Sequence, residues 1–470
     1  MIKHNEIEIP EEKGKAFDNC QLDRKKYADV LTNIVSTYAD GFVLAINNKW
    51  GTGKTTFIRM WEKDLRDNGF KTVLFNAWEN DFENNALTAL MGELKTLTKV
   101  ETEQKFKDVL KKGAVLSKNI LPTLVGALSE KYIGKDIKEL AENISKGVAD
   151  IFESDVNEYA NKKKSIKEFR ESLSKFIADT WDDKPVVFII DELDRCRPDY
   201  AVSILEQIKH FFSIPNIVFV LSIDKEQLGH AVRGVYGSEF IDADEYLRRF
   251  IDIEYSIPEP DIDKYIDYLY NYYGFDEFFL EPYRNSNNEL NYDSTRFVNI
   301  TKIIFKNNKV SLRQQEKIFA HSRLVLKSFT LNSYVFPNLY IFLNFIKIND
   351  NDFYIRIKLK DLTVLELQKE LKNKIKVKNG DDYREIMHLE AYLIHYYNNF
   401  IYTNGIKKNL YEYDNESGSN KLLIKSEFDI SPLQRDFLQI IEYISRGHRA
   451  SNLNIGYLIN KIDLLDNINL

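Results

Sequence analysis

Apolar runs separated by polar, helix-like stretches recur through the first half of the chain. The runs span residues 42–46, 72–78, 186–190, 216–224 and 251–257. Continuous apolar runs of this length are typical of strands that are buried on both faces. Because these runs alternate with helical patterns, the sequence predicts an α/β fold in which helices sandwich a parallel sheet.

Most of the remaining sequence has helical spacing. A predicted helix over 22–34 precedes the first strand, and it either packs beside a bound adenine or only covers the sheet. Helical sequence interrupts the strand pattern at 95–180 and continues beyond residue 261. The predicted organisation is a core in two parts, 1–94 and 181–260, with a helical insert, 95–180, a helical lid, 261–347, and a C-terminal accessory domain, 348–470.

An apolar stretch at 113–128 lies inside the insert. Lys118 and Asn119 divide it, and its longer part is shorter than the ~20 residues that a membrane helix needs. We therefore predict a buried or partner-facing hairpin and no membrane span.

Two short segments, 355–360 and 374–378, alternate apolar and cationic residues. This alternation predicts half-exposed strands. A basic edge strand that resists aggregation is the favoured interpretation. A nucleic-acid contact is the alternative.

Composition narrows the class of protein. The chain has 470 residues, of which 44% are hydrophobic and 29% charged, so we expect a globular protein of two or three domains. A net charge of −7 argues against a protein coated in nucleic acid. Cys20 and Cys196 stand in unrelated contexts, and the first residues contain no apolar core like that of a signal peptide. These features favour a cytoplasmic protein without a disulfide framework.

The strongest chemical signal directly follows the first predicted strand. Residues 48–56 read Asn-Lys-Trp-Gly-Thr-Gly-Lys-Thr-Thr, and a helical pattern comes next. A strand, a glycine-rich loop and a helix in this order predict a phosphate-binding loop, in which backbone N–H groups and the helix N-terminus face an anion. The predicted nucleotide-binding residues are Asn48, Trp50, Gly51, Thr52, Gly53, Lys54, Thr55 and Thr56.

Particular roles follow from the pattern G-x-x-x-x-G-K-[ST]. We expect Lys54 to reach the terminal phosphates of the nucleotide and the hydroxyl of Thr55 to complete the shell of a Mg²⁺ ion. Asn48 replaces the first glycine of the pattern. Asparagine tolerates positive φ better than other non-glycine residues, so we expect Asn48 to preserve the turn.

An acidic pair, Asp191 and Glu192, ends the apolar run at 186–190. Ligands in parallel sheets bind at the carboxyl ends of the strands, so we expect this pair to lie near the loop. Asp191 is predicted to hold Mg²⁺, directly or through water, and Glu192 to polarise the attacking water. Asp224 at a third strand end either orients that water or caps the next helix. Trp78 is the last residue of the second predicted strand, and we favour a core position for it over a ligand contact.

Three arginines are further candidates for the site. Arg248 and Arg249 precede the last predicted strand, and they either stabilise the γ-phosphate in a neighbouring subunit or form surface ion pairs. Arg313 lies in the first turn of a helix for which Ser311 is a plausible N-cap. From the predicted lid, Arg313 is expected to touch bound nucleotide.

Taken together, these motifs resemble the KAP family of P-loop NTPases from about residue 20 to about residue 330. The resemblance rests on the Trp50-Gly51 variant of the loop, on Phe-Asn-Ala-Trp at 75–78 and on Asp-Glu-Leu-Asp-Arg-Cys-Arg-Pro at 191–198. Further matching stretches are 218–224, 246–250 and 311–313.

The resemblance implies an AAA-like ATPase core followed by a helical lid. Many family members carry transmembrane helices between the two nucleotide motifs, whereas this chain has a helical insert there without a predicted span. Departures from the family pattern are Asn48 and Glu192, the latter standing where the family often has a second aspartate. Bacterial members are often associated with defence against phage, an expectation that rests on the family alone.

The leading hypothesis is an ATPase with ATP and Mg²⁺ as cofactors, which couples hydrolysis to a change in a homo-oligomer or in contact with a partner protein encoded nearby. A nucleotide-binding scaffold or sensor with little hydrolysis is one alternative. A nucleic-acid-dependent motor that uses the basic segments near Lys358 and Lys376 is the other.

Overall fold

The computed structural model describes residues 6–38, 41–83, 85–119, 148–180, 184–375, 377, 380–402, 408–416, 418–429, 434–446 and 450–464. The chain forms two compact units. We call the one that spans Ile7–Glu259 the N-terminal unit and the one that begins at Pro260 the C-terminal unit.

Parallel strands form the sheet that the structure describes in the N-terminal unit, which confirms the predicted fold class. They are β1 (Val43–Asn47), β2 (Lys71–Asn76), β3 (Val186–Asp191), β4 (Ile217–Ile223) and β5 (Ile253–Tyr255). Their order across the sheet is β2-β3-β4-β1-β5. Every residue of β3 and β4 is buried. The register places Asp191 beside Asn76 of β2 and Ser222 of β4, so polar residues gather at the carboxyl edge of the sheet.

Helices cover both faces of this sheet. They are α1 (Lys25–Thr37), α2 (Lys54–Asp67), α3 (Ala86–Leu94), α4 (Glu103–Asn119), α5 (Val148–Thr180), α6 (Pro198–Phe211), α7 (Lys225–Tyr236) and α8 (Ala243–Leu247). Side chains alternate between the faces along each strand. Ile189 packs with α1 and α2 on one face, whereas Phe188 packs on the other face with the remaining helices.

The insert contributes to this second core. Phe106 of α4 contacts Phe176 of α5, with ring centroids 5.0 Å apart. Phe169 of α5 packs against Phe211 and Phe212 at the end of α6. The apolar residues at 120–128, where a hairpin was expected, lie outside the described residues. Within the described part of the chain, no helix combines the length and the apolar character needed to cross a membrane.

In its described residues the C-terminal unit consists of helices and a single antiparallel hairpin. The helices are α9 (Ile262–Tyr272), α10 (Asp276–Phe279), α11 (Pro282–Asn285), α12 (Asp293–Asn308), α13 (Leu312–Leu326), α14 (Pro337–Asn349), α15 (Asn351–Lys358), α16 (Val364–Lys374), α17 (Gly380–Ile401), α18 (Arg435–Ser445) and α19 (Ile455–Ile462). The hairpin pairs β6 (Tyr411–Asp414) with β7 (Ser419–Leu422). Helix α14 lies in the core of this unit, since all its residues from Pro337 to Ile346 are buried. Ser311 caps α13 as predicted, in a capping box with Gln314.

The strand prediction for 355–360 is wrong, because most of this segment belongs to α15. Asp350 accepts a hydrogen bond from the N–H of Phe353 and so caps the helix. Phe353, Tyr354 and Ile357 are buried at helical spacing. The local alternation of apolar and basic residues therefore coincides with one face of a helix.

Several basic residues of these segments are paired inside the chain. Arg356 pairs with Glu370 at 3.0 Å, and Lys358 pairs with Asp463 at 2.6 Å. The second segment begins with Lys374, the last residue of α16, and its residues 376 and 378 lie outside the described residues. These ion pairs compete with any contact between the same cations and nucleic acid.

Candidate functional site

The loop between β1 and α2 has the backbone that a bound anion requires. Gly51 and Gly53 have φ angles of 77° and 78°, which glycine adopts without steric cost. Gly53 is the N-cap of α2, and the first turn of the helix contains Lys54, Thr55 and Thr56. The N–H groups of a first helical turn have no partner within the helix, so they can bind phosphate oxygens.

Asn48 preserves the loop in a different way from the one predicted. It is not among the described residues with positive φ, so its interpretation as a glycine substitute is wrong. Its side-chain amide instead donates to the carbonyl of Ile257 at 2.8 Å and accepts from the N–H of Ile257 at 2.9 Å. These bonds tie the start of the loop to the chain that follows β5.

We expect the variant Asn48→Gly to retain nucleotide binding but to be less stable by about 1–2 kcal/mol, because it loses both bonds to Ile257 and gains freedom in the unfolded chain. Chemical denaturation measures the change in stability. Asn48→Ala separates the loss of the amide from the added backbone freedom. A folded Asn48→Gly protein without nucleotide affinity would instead reveal a direct role for the amide.

Lys54 lies beneath the loop among acidic residues. Its ammonium group donates a hydrogen bond to the carbonyl of Asn48. Burial lowers the pKa of Lys54, while the carboxylates of Asp194, Asp224 and Asp191 act in the opposite direction. The structure thus brings the lysine of the loop together with acidic residues at the ends of two strands.

Trp50 links the loop to two of these acids. Its backbone N–H donates to Asp224 at 3.2 Å, and its indole N–H donates to the carboxylate of Asp194. Burial raises the pKa of Asp194, whereas the bond from Trp50 and the charge of Lys54 lower it. Sequence reasoning did not select Asp194 as a site residue. The available signal was the density of acidic residues at 191–194.

The carboxylate of Asp224 caps a helix and also contacts the loop. It accepts a hydrogen bond from the N–H of Gln227 at 3.4 Å, which confirms it as the N-cap of α7. Its other oxygen holds Trp50. The predicted orientation of an attacking water by Asp224 stays a prediction.

The acidic pair occupies the end of β3. Asp191 is buried, and one of its oxygens accepts the N–H of Glu192 at 3.0 Å. Next to it in the sheet, the buried hydroxyl of Ser222 has no hydrogen-bond partner among the described residues. Carboxylate and hydroxyl oxygens are the ligands that Mg²⁺ prefers. The oxygen of Ser222 is close to Asp191 in register, and the carboxylate of Asp191 and the hydroxyl of Thr55 are donors of the kind that Mg²⁺ takes; their metal-binding roles stay predictions.

Glu192 has a left-handed backbone, with φ of 61°. Its Oε1 pairs with Arg195 at 2.7 Å, and its Oε2 receives a long contact of 3.5 Å from the amide of Asn76. Burial raises the pKa of Glu192, and the positive charge of Arg195 lowers it. A half-buried carboxylate of this kind can act as a base near neutral pH.

Arg195 connects Glu192 with two tryptophans. Its guanidinium carbon lies 6.0 Å from the ring centroid of Trp50 and 5.6 Å from that of Trp78. Trp78 is 51% exposed, so the interpretation of Trp78 as a core residue is wrong. Its position after β2 places it at the carboxyl edge of the sheet instead, where it lies beside Arg195.

Arg24 is a second residue that sequence reasoning missed. It is buried just before α1, and it donates to the carbonyls of Thr52 at 2.8 Å and Gly53 at 3.2 Å. These bonds fix the loop carbonyls on the side of α1. Nothing in the local sequence distinguishes Arg24 from a surface arginine.

The remaining predicted arginines are exposed. Arg248 pairs with Glu245 at 3.5 Å, as the surface interpretation predicted. Within the part of the chain that the structure describes, neither Arg248 nor Arg249 forms an ion pair or a side-chain hydrogen bond with the loop. Arg313 lies in α13 of the C-terminal unit. The contacts of these arginines with a nucleotide stay predictions.

Comparison with known proteins identifies a family that matches most of the chain. A family model described as the KAP family P-loop domain matches residues 24–326. No curated protein matches the chain. Among solved structures, the chain is similar to the Aeropyrum pernix ORC2 protein, whose structure is described as ADPNP-ADP complexes. The two are 13% identical, the similarity covers 90% of this chain and 94% of that chain, and the TM-score is 0.34.

Proposed function

The chain belongs to the KAP family of P-loop domains, and from this premise we propose that it is a Mg²⁺-dependent ATPase that couples ATP binding and hydrolysis to a rearrangement of an oligomer or of a partner. The observation that supports the proposal most strongly is the convergence of two motifs at one sheet edge. Trp50 of the loop donates hydrogen bonds to Asp194 and Asp224, which follow the ends of β3 and β4, and the charge of Asp191 raises the pKa of Lys54 against the effect of burial.

In this proposal the loop binds the phosphates of ATP. The N–H groups of the first turn of α2 and the ammonium group of Lys54 contact the β- and γ-phosphates. Thr55 and Asp191 hold Mg²⁺, which neutralises charge on the phosphates when it is bound. Trp50 keeps the loop in place through its bonds to Asp194 and Asp224.

Glu192 then activates the attacking water. Arg195 occupies Oε1, so we assign the water to Oε2, whose contact with Asn76 is long. The proton of the water passes to this oxygen as the bond from the water oxygen to the γ-phosphorus forms and the bond from the γ-phosphorus to the β–γ bridging oxygen breaks, which releases ADP and phosphate. Because the base acts in its ionised form, turnover is expected to fall as the pH falls through the pKa of Glu192.

A second candidate function is a nucleotide-binding scaffold or sensor with little hydrolysis. The ion pair between Glu192 and Arg195 favours it, because a base held by a cation is a weaker proton acceptor. The two functions differ in turnover and share nucleotide binding, so they are separable by measurement.

The oligomeric part of the proposal concerns Arg248 and Arg249. Either side chain is accessible enough to reach the γ-phosphate of a neighbouring subunit, where an arginine stabilises the charge of the transition state. A partner protein encoded nearby and a role in defence against phage complete the proposal, and both rest on the family.

Nucleotide binding is tested by the variant Lys54→Ala. We expect it to weaken ATP binding by about tenfold to a hundredfold, because charge-assisted hydrogen bonds to phosphate are lost. Isothermal titration calorimetry with Mg·ATP gives the dissociation constants. Lys49→Ala, which removes an exposed lysine from the same loop, is the matched control and is expected to bind like the parent. Equal affinities of all the proteins would refute the assignment of the loop.

A further inference from the structure

A cavity lies within the C-terminal unit, among residues that belong to no part of the proposed ATPase site. Its volume is about 330 Å³, which falls in the range typical of small-molecule sites. Its walls come from α12, α14, α17 and α18 and from the residues just before α14. The inference drawn from it does not depend on the proposed ATPase activity.

Two arginines supply positive charge to the wall. Arg296 of α12 and Arg384 of α17 both line the cavity, and neither forms an ion pair with a described residue. Glu385 lies near them: burial raises its pKa, and both arginines lower it. Counted with Glu385 alone, the two arginines leave a net charge of +1.

Of the other titratable groups of the wall, Glu289 is the one that balances this charge. Burial, together with Arg296 and Arg384, lowers the pKa of His388 to about 4, so the imidazole is neutral at pH 7. Asp293 is buried and already pairs with Arg284. The exposed Glu289 accepts a hydrogen bond from the neutral hydroxyl of Tyr334 and keeps its negative charge, so the wall as a whole is close to neutral. The two guanidinium groups themselves, which form no ion pair with a described residue, can still donate charge-assisted hydrogen bonds to a phosphate.

Part of the wall is aromatic. The ring of Phe336 lies 4.5 Å from that of Tyr396 and 6.0 Å from that of Tyr392, measured between centroids. Tyr334 stacks on Phe336 with 13° between the ring planes. Clustered rings at the wall of a cavity offer faces on which a planar group can stack.

Two features of this wall carry an energetic cost. Phe336 has φ of 50° and directly precedes Pro337, a strained combination for a bulky residue. Such strain clusters at ligand sites. Asn338 is only 7% exposed, and its Oδ1 has no hydrogen-bond partner among the described residues. A donor on a bound molecule would satisfy this oxygen.

We propose that this cavity binds a nucleoside monophosphate. The phosphate contacts Arg296 and Arg384, the base stacks on the rings around Phe336, and the amide oxygen of Asn338 accepts a hydrogen bond from the edge of the base. Two guanidinium groups, aromatic surface and an unpaired acceptor within one cavity together favour this class over an uncharged apolar ligand.

AMP is the probe that tests the proposal, because it carries a phosphate, a planar base and an amino group on the base edge. Titration calorimetry is performed on the full chain carrying Lys54→Ala, which suppresses binding at the loop. We expect saturable binding that is weaker for adenosine and for inorganic phosphate than for AMP. Arg296→Ala and Arg384→Ala are each expected to weaken AMP binding by about tenfold or more.

Arg435→Ala provides the matched control, since Arg435 is an exposed arginine of α18 that does not line the cavity. It is expected to bind AMP like its parent, and thermal melts verify that every variant is folded. Absence of binding at about 1 mM AMP, GMP, CMP and UMP would overturn the proposal. Equal affinities for AMP in folded Arg296→Ala, Arg384→Ala and Arg435→Ala proteins would overturn it as well. Because the parent already carries Lys54→Ala, neither result bears on the ATPase proposal.

Discussion

Replacement of Glu192 by glutamine is expected to lower ATP turnover by at least about 100-fold, the typical contribution of a positioned base, while ATP affinity stays within a factor of about three. The amide of glutamine keeps the size of the side chain and its contact with Asn76. It loses the negative charge that accepts a proton from water. The variant therefore separates hydrolysis from binding.

The environment of Glu192 explains why the effect is expected to be large. The carboxylate is half-buried, directly follows β3 and adjoins Asp191, the predicted metal ligand. Steady-state phosphate release and calorimetry measure turnover and affinity on the same preparation. Glu206→Gln is the matched control, because burial also raises the pKa of this glutamate of α6. Turnover of Glu192→Gln equal to that of an active parent would contradict the assigned role. Near-zero turnover in both proteins, with ATP bound, would favour the scaffold.

The second large effect is expected from Arg284→Ala in the C-terminal unit. Arg284 is completely buried, pairs with Asp293 and donates to the carbonyls of Leu331 and Ser333, both at 2.9 Å. Removing one partner of a buried ion pair leaves the other uncompensated. We therefore expect the free energy of unfolding to fall by about 3–5 kcal/mol.

The pH dependence of this loss follows from Asp293. Burial raises its pKa to about 6 even though Arg284 lowers it. Without the guanidinium group the folded-state pKa rises further, so folding carries the cost of an uncompensated carboxylate as the pH increases. The difference between Arg284→Ala and its parent should be larger at pH 8 than at pH 5.

Chemical denaturation followed by circular dichroism at both pH values checks this prediction. Arg356→Ala is the control, because Arg356 forms a surface pair with Glu370 in the same unit and its loss is expected to change stability little. If Arg284→Ala were as stable as its parent at pH 8, the buried network would contribute no net stability.

Much of the fold could be predicted from sequence because burial determines the pattern. The strands β3 and β4 are buried along their whole length, and the polar residues that follow such runs lie at one sheet edge in any parallel arrangement. The phosphate-binding loop could be predicted for a similar reason, since the positive φ at Gly51 and Gly53 favours glycine and so leaves a mark in the sequence.

The contacts that complete the site could not be predicted in this way. Asn48 forms a hydrogen bond to Ile257, which lies 209 residues away in the sequence. Arg24 donates to a carbonyl of the loop, although the residues around it in the sequence do not mark it as a site residue. Trp78 was misjudged because a tryptophan after an apolar strand is usually buried, whereas here Arg195 lies beside it. Periodicity reports which face of an element is buried and contains no information about such long-range partners.

The C-terminal unit shows a different limit. Alternating residues at 355–360 matched a strand over a short window, while the burial of Phe353, Tyr354 and Ile357 fits a helix. The walls of the cavity come from segments spread between residues 288 and 450, so no local motif marks it.

If the loop after β1 and the acidic end of β3 form one ATP-hydrolysing site, the purified full chain releases phosphate from Mg·ATP and loses this activity without Lys54. Phosphate release is measured for the parent and for its Lys54→Ala and Lys49→Ala variants. We expect sustained release by the parent and by Lys49→Ala, and release at the protein-free rate by Lys54→Ala. Equal release by the parent and a folded Lys54→Ala protein would contradict this assignment of the site.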